Sequence, residues 1–376
     1  MTIERINIGN ITLRYEFFGP RDAPVVCLNH CFASGLGYWD LHLPAFQGLR
    51  VLRYDTRGHG GSDAPPGPYT LEMLADDAAG LQNALGIKRV HFCGVSLGGQ
   101  IAQTFALNYP ERLASLILVN TTCQYDDDQV VMWQERAQQA LDDGIESIHA
   151  PLMARWFTQE AADRNLPGYL YMDEAIRNFA PRSFAAAAAA MCALNTTQRL
   201  PQIKAPTLII GTPDDPGAPR EVTEMMARMI PNATLSWLEP ARHLSSLEHP
   251  NRFNELVRAF CIVEACLTEA EARAQGIDPK TSVLSLGNVP RALAARDTRG
   301  LIKLVADSAT KKLVGAHILA PEGADSIQTA AIAIKQGMAY TDFGEMNFPY
   351  LTTVEGLKLA AQTFDMDVSM LSCCAG

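Results

Sequence analysis

The sequence predicts an α/β protein in which a parallel sheet covered by helices carries an all-helical insertion and is followed by a smaller α+β unit. Three observations predict it. From the N-terminus to about residue 120, short β-rich runs alternate with segments of helical spacing, an order that implies parallel strands with helices on both faces. Between about residues 123 and 200 the strand signal stops, and the alternation restarts at "APTLIIGTPDD". After about residue 262 strands come first and helices after, the order of a small α+β domain. We therefore expect a first domain over 1–262, a helical cap over about 123–200, and a second domain over 263–376.

In chain order, "RINIGNITLRYEFFG" and a turn at Pro20–Ala23 suggest a leading hairpin. "PVVCLNH" and "LRVLRYDTRGHG" are buried-strand candidates, and "TLEMLADDAAGLQNALG" has helical spacing and stops at Gly86. "RVHFCGVS" is an apolar strand, "LGGQIAQTFALNYP" a helix and "ASLILVNTT" the next strand. After the cap come the helix "PREVTEMMARMI", the strand "ATLSWLEPA" and the helix "PNRFNELVRAFCI". In the second domain "LTEAEARAQGI" is a short helix, and "TSVLSL", "GLIKLVAD" and "LVGAHILA" are strands. "GADSIQTAAIAIKQGM" and "TTVEGLKLAAQTF" follow as helices.

Composition narrows the class. The net charge of −10 argues against nucleic acid or an anionic membrane as partner. The N-terminal segment has no continuous apolar core of a signal peptide, and no run approaches the roughly 20 residues of a membrane span, so a cytoplasmic protein is expected. Seven of the nine cysteines are scattered, several inside apolar runs, which reads as a reducing compartment without a disulfide framework. The other two, Cys373 and Cys374, are adjacent near the end of the chain.

The chemistry starts at Gly94-Val95-Ser96-Leu97-Gly98, a G-x-S-x-G sequence that follows the strand "RVHFC" and opens a helix. That context makes a nucleophile elbow, a tight turn that needs small neighbours and presents the hydroxyl at a helix N-terminus. A serine hydroxyl needs a base held by an acid. His243, late in the first domain after "ATLSWLE", is the best placed of the eight histidines; His91 and His249 read as structural. The acid should follow "PTLIIG", where Asp214 and Asp215 are adjacent: counting from Pro206 or back from Pro219 selects Asp215, counting from Gly211 selects Asp214. We take Asp215. The two N–H groups of an oxyanion hole are expected from Leu97 and from Phe32 in "NHCFASG", with His30 ordering that loop.

These residues, with "DTRGHGGSD", "GVSLGGQIAQ" and "HLSSLEHP", resemble the α/β-hydrolase family over about residues 1–262. The cap segment "LMARWFT" and the approach "LNTTQRLPQIKAPTLII" look like those of 3-oxoadipate enol-lactonases and related esterases. The resemblance implies an α/β-hydrolase fold and a serine hydrolase opening a small ester or lactone through an acyl-enzyme, with no cofactor required. Some relatives place the acid one strand earlier, where this chain has Asn120, which cannot serve as an anion. Cys31 stands where relatives often have glycine and reads as packing, a pocket thiol being the alternative; Trp133 and Trp156 read as core, with channel lining as the alternative.

From about Val263 onward the chain resembles the C-terminal dimerisation domain of mercuric reductase, within the pyridine-nucleotide disulfide oxidoreductases. "LGNVPRALAARDTRGLIKLVAD", "FPYLTTVEGLKLAAQTF" and the closing "LSCCAG" carry the likeness. It implies a homodimer and, at Cys373 and Cys374, thiolates able to take Hg(II), a soft ion that suits them. Tyr350 matches the family's metal-adjacent tyrosine. No G-x-G-x-x-G opens a βαβ unit and no redox-spaced cysteine pair occurs, so neither FAD nor NADPH is expected. Two further readings make the chain a mercury-binding protein with the hydrolase part as scaffold, or an enzyme acting on organomercury compounds. The intact elbow, acid and base select the hydrolase.

Overall fold

The computed structural model describes all residues except 1, 22, 48, 265, 266, 275, 299, 320–322 and 372–376. Two compact units make up the chain, Met1–Arg258 and Ala259–Gly376.

In the first unit eight strands form one sheet: β1 (Ile3–Asn7), β2 (Thr12–Phe18), β3 (Val25–Asn29), β4 (Arg50–Tyr54), β5 (Val90–Val95), β6 (Leu113–Val119), β7 (Thr207–Gly211) and β8 (Ala233–Trp237). Their spatial order is β1-β2-β4-β3-β5-β6-β7-β8. The hairpin β1–β2 and the pair β2–β4 are antiparallel, whereas β4-β3-β5-β6-β7-β8 is parallel throughout. The sequence shows why. β5 is buried at every position and β6 at all but one, as unbroken apolar runs require when helices cover both faces, whereas the polar β1 is mostly exposed at the sheet edge.

Helix Leu71–Ala84 is started by Thr70, whose hydroxyl accepts the N–H of Met73. Helix Leu97–Asn108, which follows β5, is the most buried: ten of its residues are enclosed, with Gly98 and Gly99 letting it lie close to the sheet. Between β6 and β7 the chain forms helices Asp127–Asp143, Glu146–Trp156, Gln159–Asp163, Pro167–Arg177 and Pro181–Cys192. The first is launched by a capping box of Asp126 and Gln129. A β-bridge, Gln124 to Asn195, and the N–H of Thr196 on the carbonyl of Cys123 at 2.9 Å tie the two ends of this insertion. No described helix is long and apolar enough to cross a membrane.

In the second unit β9 (Pro279–Ser285), β10 (Leu301–Asp307) and β11 (Leu313–Leu319) form an antiparallel meander with β10 in the centre. Leu284, Leu304, Phe343, Leu357 and Ala360 are fully enclosed between this sheet and helices Gly323–Lys335, Tyr340–Glu345 and Glu355–Gln362. Helices Pro290–Ala295 and Tyr340–Glu345 go beyond the elements read from the sequence, because six residues are too few to display a helical period.

Candidate active site

Ser96 stands between the end of β5 and the following helix with φ 53° and ψ −116°, a conformation in which an L-residue is strained. Its surroundings hold it there. The Ser96 N–H donates to the carbonyl of Val119 at 2.9 Å, and the Ser96 carbonyl accepts from Thr121 Oγ1 at 2.9 Å. A Cβ on Gly94 would lie 2.2 Å from the carbonyl oxygen of Gly98, and one on Gly98 would lie 2.3 Å from that of Asn29. Both positions therefore exclude any side chain, which is the physical content of the G-x-S-x-G spacing.

Two loops at the ends of parallel strands bring the other groups to this hydroxyl. His243 Nε2 is 2.8 Å from Ser96 Oγ, and His243 Nδ1 is 2.8 Å and 3.0 Å from the two carboxylate oxygens of Asp215. A carboxylate can only accept, so the ring proton sits on Nδ1 and Nε2 presents its lone pair to the serine. Asp215 is buried, and it also accepts from Gly217 N–H at 2.7 Å and from Asn120 Nδ2 at 3.0 Å. Burial alone would raise its carboxyl; the charge and hydrogen bond of His243, with the two other donors, outweigh burial and hold it below the usual carboxylate range. Asp214, the neighbouring alternative, is exposed.

Asn120 cannot serve as the acid, because an amide carries no anionic charge. Its place in the structure is a support: Ser245 Oγ donates to its carbonyl oxygen at 2.5 Å, and its amide clamps Asp215. The signal available in the sequence was its position at the end of β6, next to the acid's strand.

The loop after β3 supplies the opposite wall. His30 Nε2 accepts the N–H of Thr56 at 3.0 Å, so its Nδ1–H donates to the carbonyl of Cys31 at 2.7 Å. Burial holds this ring down at about 4, a neutral brace for the loop. Asp55, from "DTRGHG", accepts from the N–H groups of Leu36 and Gly61, each at 2.7 Å, and pairs with Arg14. Phe32 is thereby fixed between the core and the helical insertion, its ring 4.6 Å from that of Phe184 and edge-on to Trp133 at 5.6 Å. Among the described residues the N–H groups of Phe32 and Leu97 have no acceptor. Cys31 is buried, in contact with Ser34 Oγ and Met172 Sδ, and burial pushes its thiol up to about 12. It fills space and is a poor nucleophile.

Trp133 and Trp156 are both buried, the second with its ring 6.4 Å from that of His243. His91 donates or accepts at Ser115 Oγ, 2.9 Å away, and His249 bonds the carbonyl of Pro240, so neither approaches Ser96. Tyr350 is exposed. Cys373 and Cys374 lie outside the described residues. Among the described residues no cluster of histidine, cysteine and acidic side chains could hold a metal ion.

Comparison with known proteins falls into the same two parts. Residues 24–250 match the alpha/beta hydrolase fold family, and residues 262–361 match the pyridine nucleotide-disulphide oxidoreductase dimerisation domain. The 3-oxoadipate enol-lactonase 2 of Acinetobacter baylyi is 31% identical over 257 residues, covering 68% of this chain and 95% of that protein. The crystal structure of the enol-lactonase from Burkholderia xenovorans superposes with a TM-score of 0.66 at 31% identity, over 69% of this chain and 99% of that one. The mercuric reductase of Shewanella putrefaciens is 57% identical over 110 residues, which are 29% of this chain and only 20% of the reductase.

Proposed function

The chain belongs to the alpha/beta hydrolase fold family and ends in a pyridine nucleotide-disulphide oxidoreductase dimerisation domain, and from that premise we propose that it hydrolyses a small carboxylic ester or lactone through an acyl-enzyme on Ser96. The observation that carries this reading is the buried run of hydrogen bonds from Ser96 Oγ through His243 to Asp215 at a strained elbow.

In the reaction so read, Ser96 Oγ attacks the scissile carbonyl as His243 Nε2 takes its proton, and Asp215 stabilises the imidazolium without accepting a proton. The N–H groups of Phe32 and Leu97 hold the oxygen that becomes negative; each such donor is worth about 10²–10³ in rate. The tetrahedral intermediate collapses, His243 returns the proton to the departing oxygen, and in a lactone that oxygen stays tethered to the acyl group. Water, deprotonated by His243, then attacks the acyl-enzyme, and the same donors hold the second oxyanion before Ser96 is released.

The second domain supports a homodimer. Val283, Leu293 and Ile332 are large apolar residues more than half exposed, side chains of the kind a two-fold contact would cover. Its likeness to mercuric reductase supports a further part of the reading, that Cys373 and Cys374 bind Hg(II) as a thiolate pair. The chain spans a fifth of that reductase, so reduction of the metal forms no part of the proposal.

A fluorophosphonate probe with p-nitrophenyl acetate turnover tests the reading. Wild type is expected to be labelled at Ser96, and Ser96→Ala to lose labelling and about 10⁴-fold or more of turnover, with Hg(II) binding retained; the double change Cys373→Ser, Cys374→Ser should remove Hg(II) binding and keep labelling. A folded wild type that the probe leaves unlabelled would overturn the hydrolase and leave a metal-binding protein. Phenylmercury cleavage that survives Ser96→Ala would favour the organomercury reading.

A further inference from the structure

The loop that carries Phe32 is held in a conformation its own residues do not favour. Ala33, the residue after Phe32, is buried with φ 54°, in the left-handed region where an alanine is strained. Such a backbone persists only where its surroundings fix it. From the sheet side Asp55 accepts the N–H of Leu36, and a Cβ on Gly35 would lie 2.7 Å from an Asp55 carboxylate oxygen. Within the loop Ser34 Oγ donates to the carbonyl of Cys31 at 2.9 Å.

A further hold comes from the helical insertion. The hydroxyl of Tyr171, on helix Pro167–Arg177, accepts the N–H of Gly35 at 3.0 Å and donates to the carbonyl of the same residue at 3.2 Å. One side chain thus grips both backbone groups of a residue 136 positions earlier in the chain. Its ring covers Gly37, where a Cβ would lie 3.0 Å from Tyr171 Cε2, and the next residue, Met172, meets Cys31 sulfur to sulfur at 4.0 Å. One turn earlier the helix sets Gly168 against Leu247 in the segment after His243, where a Cβ would lie 2.6 Å from Leu247 Cβ. Helix Pro167–Arg177 therefore rests on the Phe32 loop and on the segment that follows the base. Burial, the largest influence on the Tyr171 phenol, pushes it up, so the hydroxyl keeps the proton it donates.

We propose that Tyr171 is a positioning residue for the oxyanion hole: through Gly35 it fixes the direction of the Phe32 N–H, so that the helical insertion acts on the chemical step itself. The proposal rests on the hydrolase reading above and adds to it a group that touches neither substrate nor Ser96. An oxyanion donor works only when it is aimed, before reaction, at the place where the negative oxygen will stand. Without the hydroxyl, the Gly35 N–H loses its acceptor and the strained turn at Ala33 is free to relax toward an ordinary conformation, carrying the Phe32 N–H with it. The neutral carbonyl of bound substrate draws little on that donor, whereas the tetrahedral oxyanion depends on it, so the loss falls on the transition state and not on binding.

The test is Tyr171→Phe, which removes the hydroxyl and leaves the ring over Gly37. With p-nitrophenyl acetate, kcat and kcat/KM should fall together by about tenfold or more while KM stays within about twofold. A methyl trifluoromethyl ketone, to which Ser96 Oγ adds while His243 takes the proton, leaves an oxyanion in the same place; its inhibition constant should rise by the factor that kcat/KM loses, a correlation a merely structural role would not produce. Amide exchange should quicken at least about tenfold in residues 31–37 and stay as in wild type in β5 and β6. This last readout needs no turnover, so if wild type cleaves no ester the acylation reading fails while exchange still decides whether Tyr171 holds the loop. A change confined to KM, an unaltered inhibition constant for the ketone, or unaltered exchange in 31–37 would each overturn the proposal.

Discussion

The two units of the chain differ most in what they do with polar and apolar groups. The first buries Asn29, His30, Asp55, Arg57, Asp77, Asn120, Asp215 and His243, and most of these have a named partner. Arg57, for instance, makes a two-pronged pair with Asp77 at 2.7 and 2.6 Å. In the second unit the buried polar side chains among the described residues are Ser282, Ser326 and Glu355, while Val283, Leu293, Ile332, Tyr350 and Met370 are all more than half exposed. Interior polarity costs free energy unless it is fully satisfied. Its concentration around Ser96 marks a region organised inward, toward chemistry. The second unit has an apolar core with few buried polar side chains, and several of its large apolar side chains are exposed.

The sharpest break in that comparison comes from the acid. Asp215→Asn should lower ester turnover about 10⁴-fold by allowing the wrong imidazole tautomer, whereas exposed Asp214 changed to Asn should leave kcat within about threefold; steady-state kinetics of the pair decides which of the two neighbours is coupled to His243. Comparable losses in both would mean that the loop, and not the hydrogen bond, matters.

The second largest effect separates the units. Leu357 is fully buried in the second core, and Leu357→Ala should destabilise that unit by about 2–5 kcal/mol. All four tryptophans, Trp39, Trp133, Trp156 and Trp237, belong to the first unit, so their fluorescence follows it alone. The Leu357→Ala protein should show lowered amide protection in β9–β11 with an unaltered tryptophan unfolding curve; a shifted curve would mean that the units fold as one.

A further effect is the acid sensitivity of the first unit. Burial lowers His30, His42 and His91 to about 4 and His59 to about 3. The charge of Arg14 adds to the lowering of His30, that of Arg89 to His91, and that of His30 to His59. Each folded-state value lies below the unfolded one of about 6.5, so the unfolded chain binds more protons between them. Stability is therefore full above about pH 6.5 and is lost as pH falls toward 4, by up to about 1.4 kcal/mol per histidine per pH unit. The urea midpoint of tryptophan fluorescence should drop steadily from pH 7 to pH 5, and a flat profile would contradict neutral burial of these rings.

Much of this was legible in the sequence where the information is local. The elbow is a run of five residues between an apolar strand and a helix, and its small neighbours are dictated by backbone that a Cβ would approach to 2.2 and 2.3 Å, so spacing and local context expose it. The strands β3, β5, β6 and β7 are apolar runs that no other element explains as well. The second domain showed in segments matching a known family. Less legible were choices between neighbours and roles that need distant partners. Asp214 and Asp215 differ by one position, and only the turn Thr212–Asp215, closed by an N–H to carbonyl bond of 3.3 Å, turns the second one inward. Asn120 is 95 positions from the carboxylate it holds.

By itself, then, the sequence determined the order of elements, the nucleophile's turn and the two-part organisation, because backbone sterics and hydrophobic period act over a few residues at a time. The tertiary structure decided which carboxylate meets His243 and which amide steadies it. Those depend on side chains remote in the chain being placed within about 3 Å of one another or being kept apart, and hydrogen bonding at that range is governed by packing of the whole unit.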